Sequence, residues 1–205
     1  MLLSNWVITI VCLLCIYRLR NVPSIALFRH YRLVFIMNGI GAFLGGLSHL
    51  LYHYTSQPFK AFAWIFIGIG TYYLQLIAIG FVRKPASERA LKIFAIIKLL
   101  LFIAALLYFQ SFAFVLADLA LGLFLIVVPI HIGHYHETRN RGSLLTLVAV
   151  GIILVSAIFP VFRISVHETW FTFNDIGHIC MAISLYVIYL SAKHLVDHPT
   201  GVLTK

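Results

Sequence analysis

Two pairs of polar residues stand four positions apart inside apolar stretches of the sequence, and their side chains are of the kinds that bind metals. His49 and His53 form one pair, and Asn174 and His178 form the other. Residues four apart share one face of a helix, so each pair can converge on a single point. Histidine nitrogens with a carboxylate suit Zn²⁺, which keeps one position open for water in catalytic sites. The spacing therefore predicts a zinc site with His49, His53 and His178 as ligands, supported by Asn174.

Two carboxylates, Asp118 and Asp175, lie in the same kind of apolar surroundings. Zinc-bound water has a pKa of about 7 and can act as a hydrolytic nucleophile. Either aspartate could bind the metal or serve as the catalytic general base. Simpler roles stay open, because Asp175 can cap its helix or pair with the helix dipole. Asp118 can pair with a tyrosine or histidine, and each histidine can hydrogen-bond to a neighbouring helix or, like His53, be solvated.

A second histidine group consists of His131, His134 and His136. The first two are three positions apart and could bind a metal. The group lies at the end of an apolar run, where water reaches side chains easily, so we favour a solvated helix end. Lys98 lies inside another apolar run, and we expect it to snorkel towards the membrane surface.

The composition indicates which environment surrounds these residues. The chain has 205 residues, is 62% hydrophobic and 10% charged, and has a mean hydropathy of +1.01. Soluble domains carry about 25% charged residues, so most of this surface must face lipid. The net charge of +9 lies in short loops, where it signals topology and not nucleic-acid binding. We expect one multi-pass domain in a cell, inner or endomembrane, with membrane lipid as its partner and its oligomeric state open.

Seven apolar runs approach the length of about 20 residues that a spanning helix needs. They predict an all-α bundle of seven transmembrane helices at about 2–17, 31–53, 62–82, 90–109, 112–134, 143–162 and 173–192. The boundary between the fourth and fifth helices is the least marked, because only Gln110 and Ser111 interrupt a long apolar stretch.

Basic residues lie almost entirely on one side of this predicted bundle. Twelve lysines and arginines follow the first, third, fifth and seventh helices, whereas Lys60 and Arg163 lie on the other side. Cytoplasmic loops carry the excess of basic residues, which predicts an outside N-terminus and a cytoplasmic C-terminus. The predicted zinc ligands and both aspartates then fall in the outer half of the membrane.

Two segments carry a resemblance to a known superfamily, namely Gly45-Gly46-Leu47-Ser48-His49 and Phe173-Asn174-Asp175-Ile176-Gly177-His178. With the seven-helix layout, they resemble the alkaline ceramidases, the adiponectin/progestin-type receptors and the Per1-type GPI-remodelling proteins. The resemblance implies zinc bound by His49 and His178, and hydrolysis of a lipid amide or ester. The family serine of helix 2 is matched by Gly45, the first helix 7 histidine by Asn174, and helix 3 begins without the family aspartate.

Three functions follow from these patterns. The first is a zinc-dependent membrane hydrolase of a lipid amide or ester. The second is a non-enzymatic receptor or transporter-like protein that binds a small ligand or a proton with the same residues, and the departures from the family motifs favour it. The third is a haem-binding membrane protein, in which His49 and His178 would be the axial ligands.

Overall fold

The computed structural model describes residues 2–22, 25–51, 57–167 and 171–197. Within them, helices are joined by short connections, and an isolated β-bridge links His167 and Phe171. The helices are α1 (Leu2–Arg18), α2 (Ala26–Leu50), α3 (Gln57–Ile79), α4 (Pro85–Phe109), α5 (Phe112–Gly122), α6 (Val128–Thr138), α7 (Arg141–Phe162) and α8 (Phe173–Asp197).

Six spans in the described residues are long and apolar enough to cross a membrane. They are α2, most of α3, α4, the continuous segment Phe112–Thr138, α7 and α8, whereas α1 is apolar but shorter. Large apolar side chains cover the outside of the bundle, among them Leu101 and Leu107, which are 66% and 52% exposed. A surface of this kind suits lipid. The predicted all-helical membrane class is therefore supported.

The predicted break between the fourth and fifth helices is confirmed. α4 ends at Phe109, and Gln110 adopts a left-handed conformation with φ of 49° that caps the helix. Ser111 then begins α5, and its Oγ accepts a hydrogen bond from the backbone N–H of Ala113 at 3.3 Å. Gln110 and Ser111 thus form the whole connection between two antiparallel helices.

Several helices extend beyond their predicted bounds. α2, α3 and α4 begin at Ala26, Gln57 and Pro85, ahead of the predicted starts at 31, 62 and 90, and α2 ends at Leu50, before the predicted end at 53. Apolar runs mark only the part of a helix that faces lipid or core. The polar first turn of α4 is helical because proline is favoured at the first position and Glu88 faces the positive end of the helix dipole.

One feature of the fifth predicted helix is a five-residue π-helical turn, Leu123–Val127, which joins α5 to α6. It directly precedes Pro129, near the start of α6. Proline lacks the N–H that a continuous α-helix would need there, and a π turn is one way to accommodate the lost bond. The two halves of this segment, α5 and α6, are therefore rotated relative to each other about the helix axis.

Helices consecutive in the chain pack as neighbours, with α1 against α2, α2 against α3, and α7 against α8. α1 also packs against α8, and these two helices run parallel, since Ser4 near the start of α1 contacts Asp175 near the start of α8. A glycine permits the close approach of α2 and α3, because a Cβ atom added to Gly41 would lie 2.9 Å from the backbone oxygen of Ala63. We call the end of the bundle where α2 stops at Leu50 and α8 starts at Phe173 the cavity end. The end where α3 stops and α7 starts is the opposite end.

Candidate functional site

A cavity of about 480 Å³ opens at the cavity end between α1, α2, α3, α5, α7 and α8. Its apolar lining includes Ile8, Ala42, Ile67, Leu119 and Met181. Its polar lining consists of Asn5, Asn38, Ser48, His49, Lys60, Ser156, Arg163, Asn174 and His178. Ligand sites typically combine an apolar wall with a few polar groups in a volume of about 300–1,000 Å³. The cavity therefore has the size and composition of a small-molecule site.

His178 is held in place by a hydrogen-bonded chain that starts at Asp175 and passes through Ser4 of α1. The Ser4 hydroxyl donates to Asp175 Oδ1 at 2.6 Å and lies 2.9 Å from His178 Nδ1. Because the hydroxyl proton is directed at the carboxylate, Ser4 Oγ accepts a hydrogen bond from the Nδ1–H group of the histidine. A neutral His178 then carries its proton on Nδ1, and Nε2 is free to accept a hydrogen bond or bind a metal.

Asp175 itself is a buried helix cap and does not line the cavity. Its Oδ2 accepts hydrogen bonds from the Thr172 backbone N–H at 3.0 Å and from the Thr172 hydroxyl at 2.8 Å. The bond from the Thr172 N–H is one half of a capping box at the start of α8, while the Asp175 N–H donates to the Thr172 backbone oxygen at 3.0 Å. The capping role left open for Asp175 is confirmed. Both carboxylate oxygens are engaged, so Asp175 positions His178 through Ser4.

His49 and Asn174 line the same cavity as His178. Among the described residues, the structure gives the His49 ring no hydrogen-bond partner, and the ring is half-buried. Ser48, one residue before, turns its hydroxyl back to the Gly45 carbonyl oxygen at 2.7 Å. The cavity thus brings together three of the polar residues that the sequence selected, His49, Asn174 and His178.

Asp118 lies away from this cavity lining and takes part in a different interaction. Its carboxylate forms a buried ion pair with the Lys98 ammonium of α4, and Lys98 also donates to the Asp118 backbone oxygen at 3.2 Å. The expectation that Lys98 snorkels is wrong, because its side chain is only 7% exposed. The Lys98 ammonium pairs with the internal carboxylate and does not extend to the membrane surface, since an unpaired charge in the interior is very costly.

His53 lies outside the described residues. Within the residues that the structure describes, no group of three or more His, Cys, Asp or Glu side chains could hold a metal ion. Catalytic zinc sites usually have three protein ligands, whereas His49 and His178 offer two nitrogens. The described residues alone do not complete a zinc site, so zinc stays a prediction that needs His53. The haem alternative likewise stays a prediction.

The second histidine group differs from its expected state. His136 is exposed, but His131 is fully buried and His134 is 7% exposed. The expectation of a solvated helix end is therefore wrong for these two residues. They face inwards because Ser143 of α7 offers a hydrogen bond to each and Phe81 covers both rings.

Two residues of the site escaped the sequence interpretation. Ser4 lies in an apolar stretch with no motif around it, and only the packing of α1 against α8 brings it to His178. Thr172 could have been found, because its spacing of three from Asp175 is the capping-box pattern.

Comparison with known proteins places the whole layout in one family. No curated protein matches the sequence. A family model described as "Family of unknown function (DUF6962)" matches residues 1–197 and therefore covers all described helices. The chain belongs to this family of unknown function, DUF6962.

Proposed function

We propose that this protein binds a single-chain anionic amphiphile, of the fatty-acid class, in the cavity lined by His49 and His178. The observation that carries the proposal is the distribution of charge. Among the described residues that line the cavity, two are cations, Lys60 and Arg163, and none is Asp or Glu. A negative head group is therefore attracted to the cavity end, where hydrogen-bond donors also lie.

The rest of the lining suits an acyl chain. Ala42, Ile67, Leu119 and Met181 supply apolar wall below the polar groups. Burying apolar surface contributes about 25 cal/mol per Å², which gives the chain most of its binding energy. The polar groups then select the head group, because His178, Asn174 and Arg163 present hydrogen-bond partners to an oxygen-rich end. This binding role corresponds to the non-enzymatic alternative from the sequence.

We also propose the topology that the basic residues predict, with seven spans, the N-terminus outside and the C-terminus in the cytoplasm. α1 supports a seventh span, because it runs along α2 and α8 and brings Ser4 to the cavity end. The cavity would then open towards the outer leaflet, from which an amphiphile can enter. Reporter fusions at residues 22 and 140 should both report the cytoplasmic side, and an outside report from either would contradict this topology.

Binding is tested with a photoactivatable fatty acid added to the purified protein in phosphatidylcholine nanodiscs. Cross-links should map to cavity residues, and the neutral methyl ester of the same probe should label far less. Arg163→Gln should lower labelling about tenfold, the loss expected for a hydrogen bond to a charged group. Arg89→Gln removes the same charge at the exposed opposite end and should leave labelling unchanged. Equal labelling by acid and ester, or equal labelling of both variants, would refute the proposal.

A second candidate, the zinc-dependent lipid hydrolase, is favoured by one observation. The Ser4 contact leaves Nε2 of His178 as the ring nitrogen able to bind a metal or accept a proton. The metal content of protein purified without chelators tests this candidate. Stoichiometric zinc that is lost in both His49→Ala and His53→Ala would support it, and a metal-free folded wild type would remove it.

A further inference from the structure

A second polar cluster lies far from the cavity, at the opposite end, and joins α6 to α7. His131 and His134 stand one turn apart on α6, and both rings face Ser143 of α7. Ser143 Oγ lies 3.1 Å from His131 Nδ1 and 2.7 Å from His134 Nδ1. One hydroxyl thus bridges two imidazoles in the protein interior.

The number of protons in this cluster fixes the state of the two rings. A serine hydroxyl carries one proton and can accept through its lone pairs. The described structure gives Ser143 Oγ these two ring nitrogens as its side-chain partners. Ser143 therefore donates to one Nδ1 and accepts from the other. In the neutral pair, one histidine must be protonated on Nε2 and the other on Nδ1.

The outer nitrogens of both rings are left without partners. Nε2 of His131 and Nε2 of His134 are buried and have no hydrogen bond in the described structure. Buried polar atoms are nearly always paired, and leaving one unpaired is costly. By the proton count, one of these atoms is an N–H donor and the other is a lone-pair acceptor. The cluster thus ends in one group that can give a proton and one that can take it.

We propose that His131, Ser143 and His134 form a proton relay. A proton from water binds the Nε2 that carries the lone pair, and the same ring passes its Nδ1 proton to Ser143 Oγ. Ser143 passes its own proton to Nδ1 of the second ring, which releases its Nε2 proton to another water molecule. One proton enters and one leaves, so the charge balances. The two rings have then exchanged tautomers, and the next transfer runs in the reverse direction.

A metal ion fits this cluster less well than a proton does. Metal binding through both Nε2 atoms requires both lone pairs, whereas the Ser143 hydroxyl keeps one of the two rings protonated there. Within the described residues, no third metal-binding side chain joins the pair. Water, which donates and accepts, complements the two unpaired atoms directly.

The surroundings of the relay point to exchange with solvent at the opposite end. The Phe81 ring packs against both histidines, with centroid distances of 5.2 Å to His131 and 4.4 Å to His134. The charged groups beside the cluster are Glu137, three residues after His134, and Arg83, which pairs with Glu137 at 3.0 Å. That ion pair is solvent-exposed, so water lies within one turn of His134.

Nitrogen-15 NMR of histidine-labelled protein in liposomes tests the relay directly. The two rings are assigned by the signals that disappear in His131→Asn and His134→Asn. In the wild type, the rings should occupy opposite tautomers and exchange them. Two rings in the same tautomer, or two opposite tautomers that never exchange between about pH 5 and pH 8, would overturn the proposal. The wild-type measurement is decisive even if a variant fails to fold.

Ser143→Ala provides the second arm of the test. Removing the bridging hydroxyl interrupts the proton path between the two Nδ1 atoms, so the coupled exchange of tautomers should be lost. Ser184→Ala is the matched control, because Ser184 is equally buried but donates to the Ala149 backbone oxygen at 2.9 Å. Unchanged exchange in Ser143→Ala, or an equal decrease in Ser184→Ala, would show that the hydroxyl does not carry the proton. Fatty-acid labelling at the other end should be the same in all these proteins.

Discussion

Lys98 of α4 and Asp118 of α5 form a buried ion pair between two helices that are joined by only two residues. The Lys98 side chain is 7% exposed and the Asp118 side chain is 2% exposed. Each charge therefore relies on the other, since neither reaches water. The pair holds α4 and α5 in one register.

Removing one member of this pair should unfold the protein more easily than removing both. Asp118→Ala leaves a buried ammonium without its partner and should cost about 3–5 kcal/mol in the free energy of unfolding. The double variant Lys98→Met/Asp118→Leu should recover most of that loss. Denaturant unfolding in mixed micelles measures the free energy of unfolding of both variants.

The exposed pair Glu88–Lys92 on α4 is the control for this experiment. Its charges lie 2.6 Å apart and are 30% and 50% exposed. An exposed pair four residues apart contributes about 0.5 kcal/mol at most, so Lys92→Ala should hardly change stability. A loss for Asp118→Ala as small as that for Lys92→Ala would contradict the buried pair.

Ser4→Ala should weaken ligand binding without removing any cavity-lining residue. The substitution leaves His178 without the contact that fixes its Nδ1 proton, so the ring can rotate or change tautomer. We expect about a tenfold weaker affinity for the fatty-acid probe, measured by competition labelling. Ser4→Thr keeps a hydroxyl and should retain most of the affinity, whereas equal losses in both variants would indicate a packing defect.

Thr172→Val should lower stability through the start of α8. It removes the hydroxyl that donates to Asp175 Oδ2 but keeps the side-chain shape. Losing this hydrogen bond costs about 1 kcal/mol, seen as a lower midpoint of thermal unfolding. Thr172→Ser preserves the hydroxyl and should match the wild type. The idea fails if serine and valine have the same effect.

Gly41→Ala should separate α2 from α3. The added Cβ would lie 2.9 Å from the Ala63 backbone oxygen, which cannot move away as a side chain could. Overpacking of this kind costs about 1–3 kcal/mol. Gly151→Ala is the control, because a Cβ there meets nothing within 4 Å, and alanine is the better helix former. The contact at Gly41 would be refuted if both substitutions were equally harmless.

The spans were predictable from sequence because each one must present a continuous apolar surface to lipid. The turn at Gln110 and Ser111 was predictable for the same reason, since one span cannot hold the whole stretch from 90 to 134. The ion pair between Lys98 and Asp118 was not predicted. The two residues are 20 positions apart, and this spacing does not show that their helices place them face to face.

The histidines show the same division. His49, Asn174 and His178 were brought to one cavity as expected, since helix direction and depth determine which residues share a level. The burial of His131 and His134 was not predicted, because it depends on which side of α6 faces α7. The π turn at Leu123–Val127 precedes these residues and rotates their helix, and hydropathy patterns do not register such a turn.

The contact between Ser4 and Asp175 joins residues 171 positions apart. Ser4 is synthesised early and waits for α8, which is the last helix to be made. The contact that holds His178 in position therefore forms only after synthesis has reached α8. Chains that stall or are cut between α7 and α8 would carry an incomplete cavity, although the six proposed spans before α8 could already be in the bilayer. Ligand binding would then report that membrane insertion of the chain had reached α8.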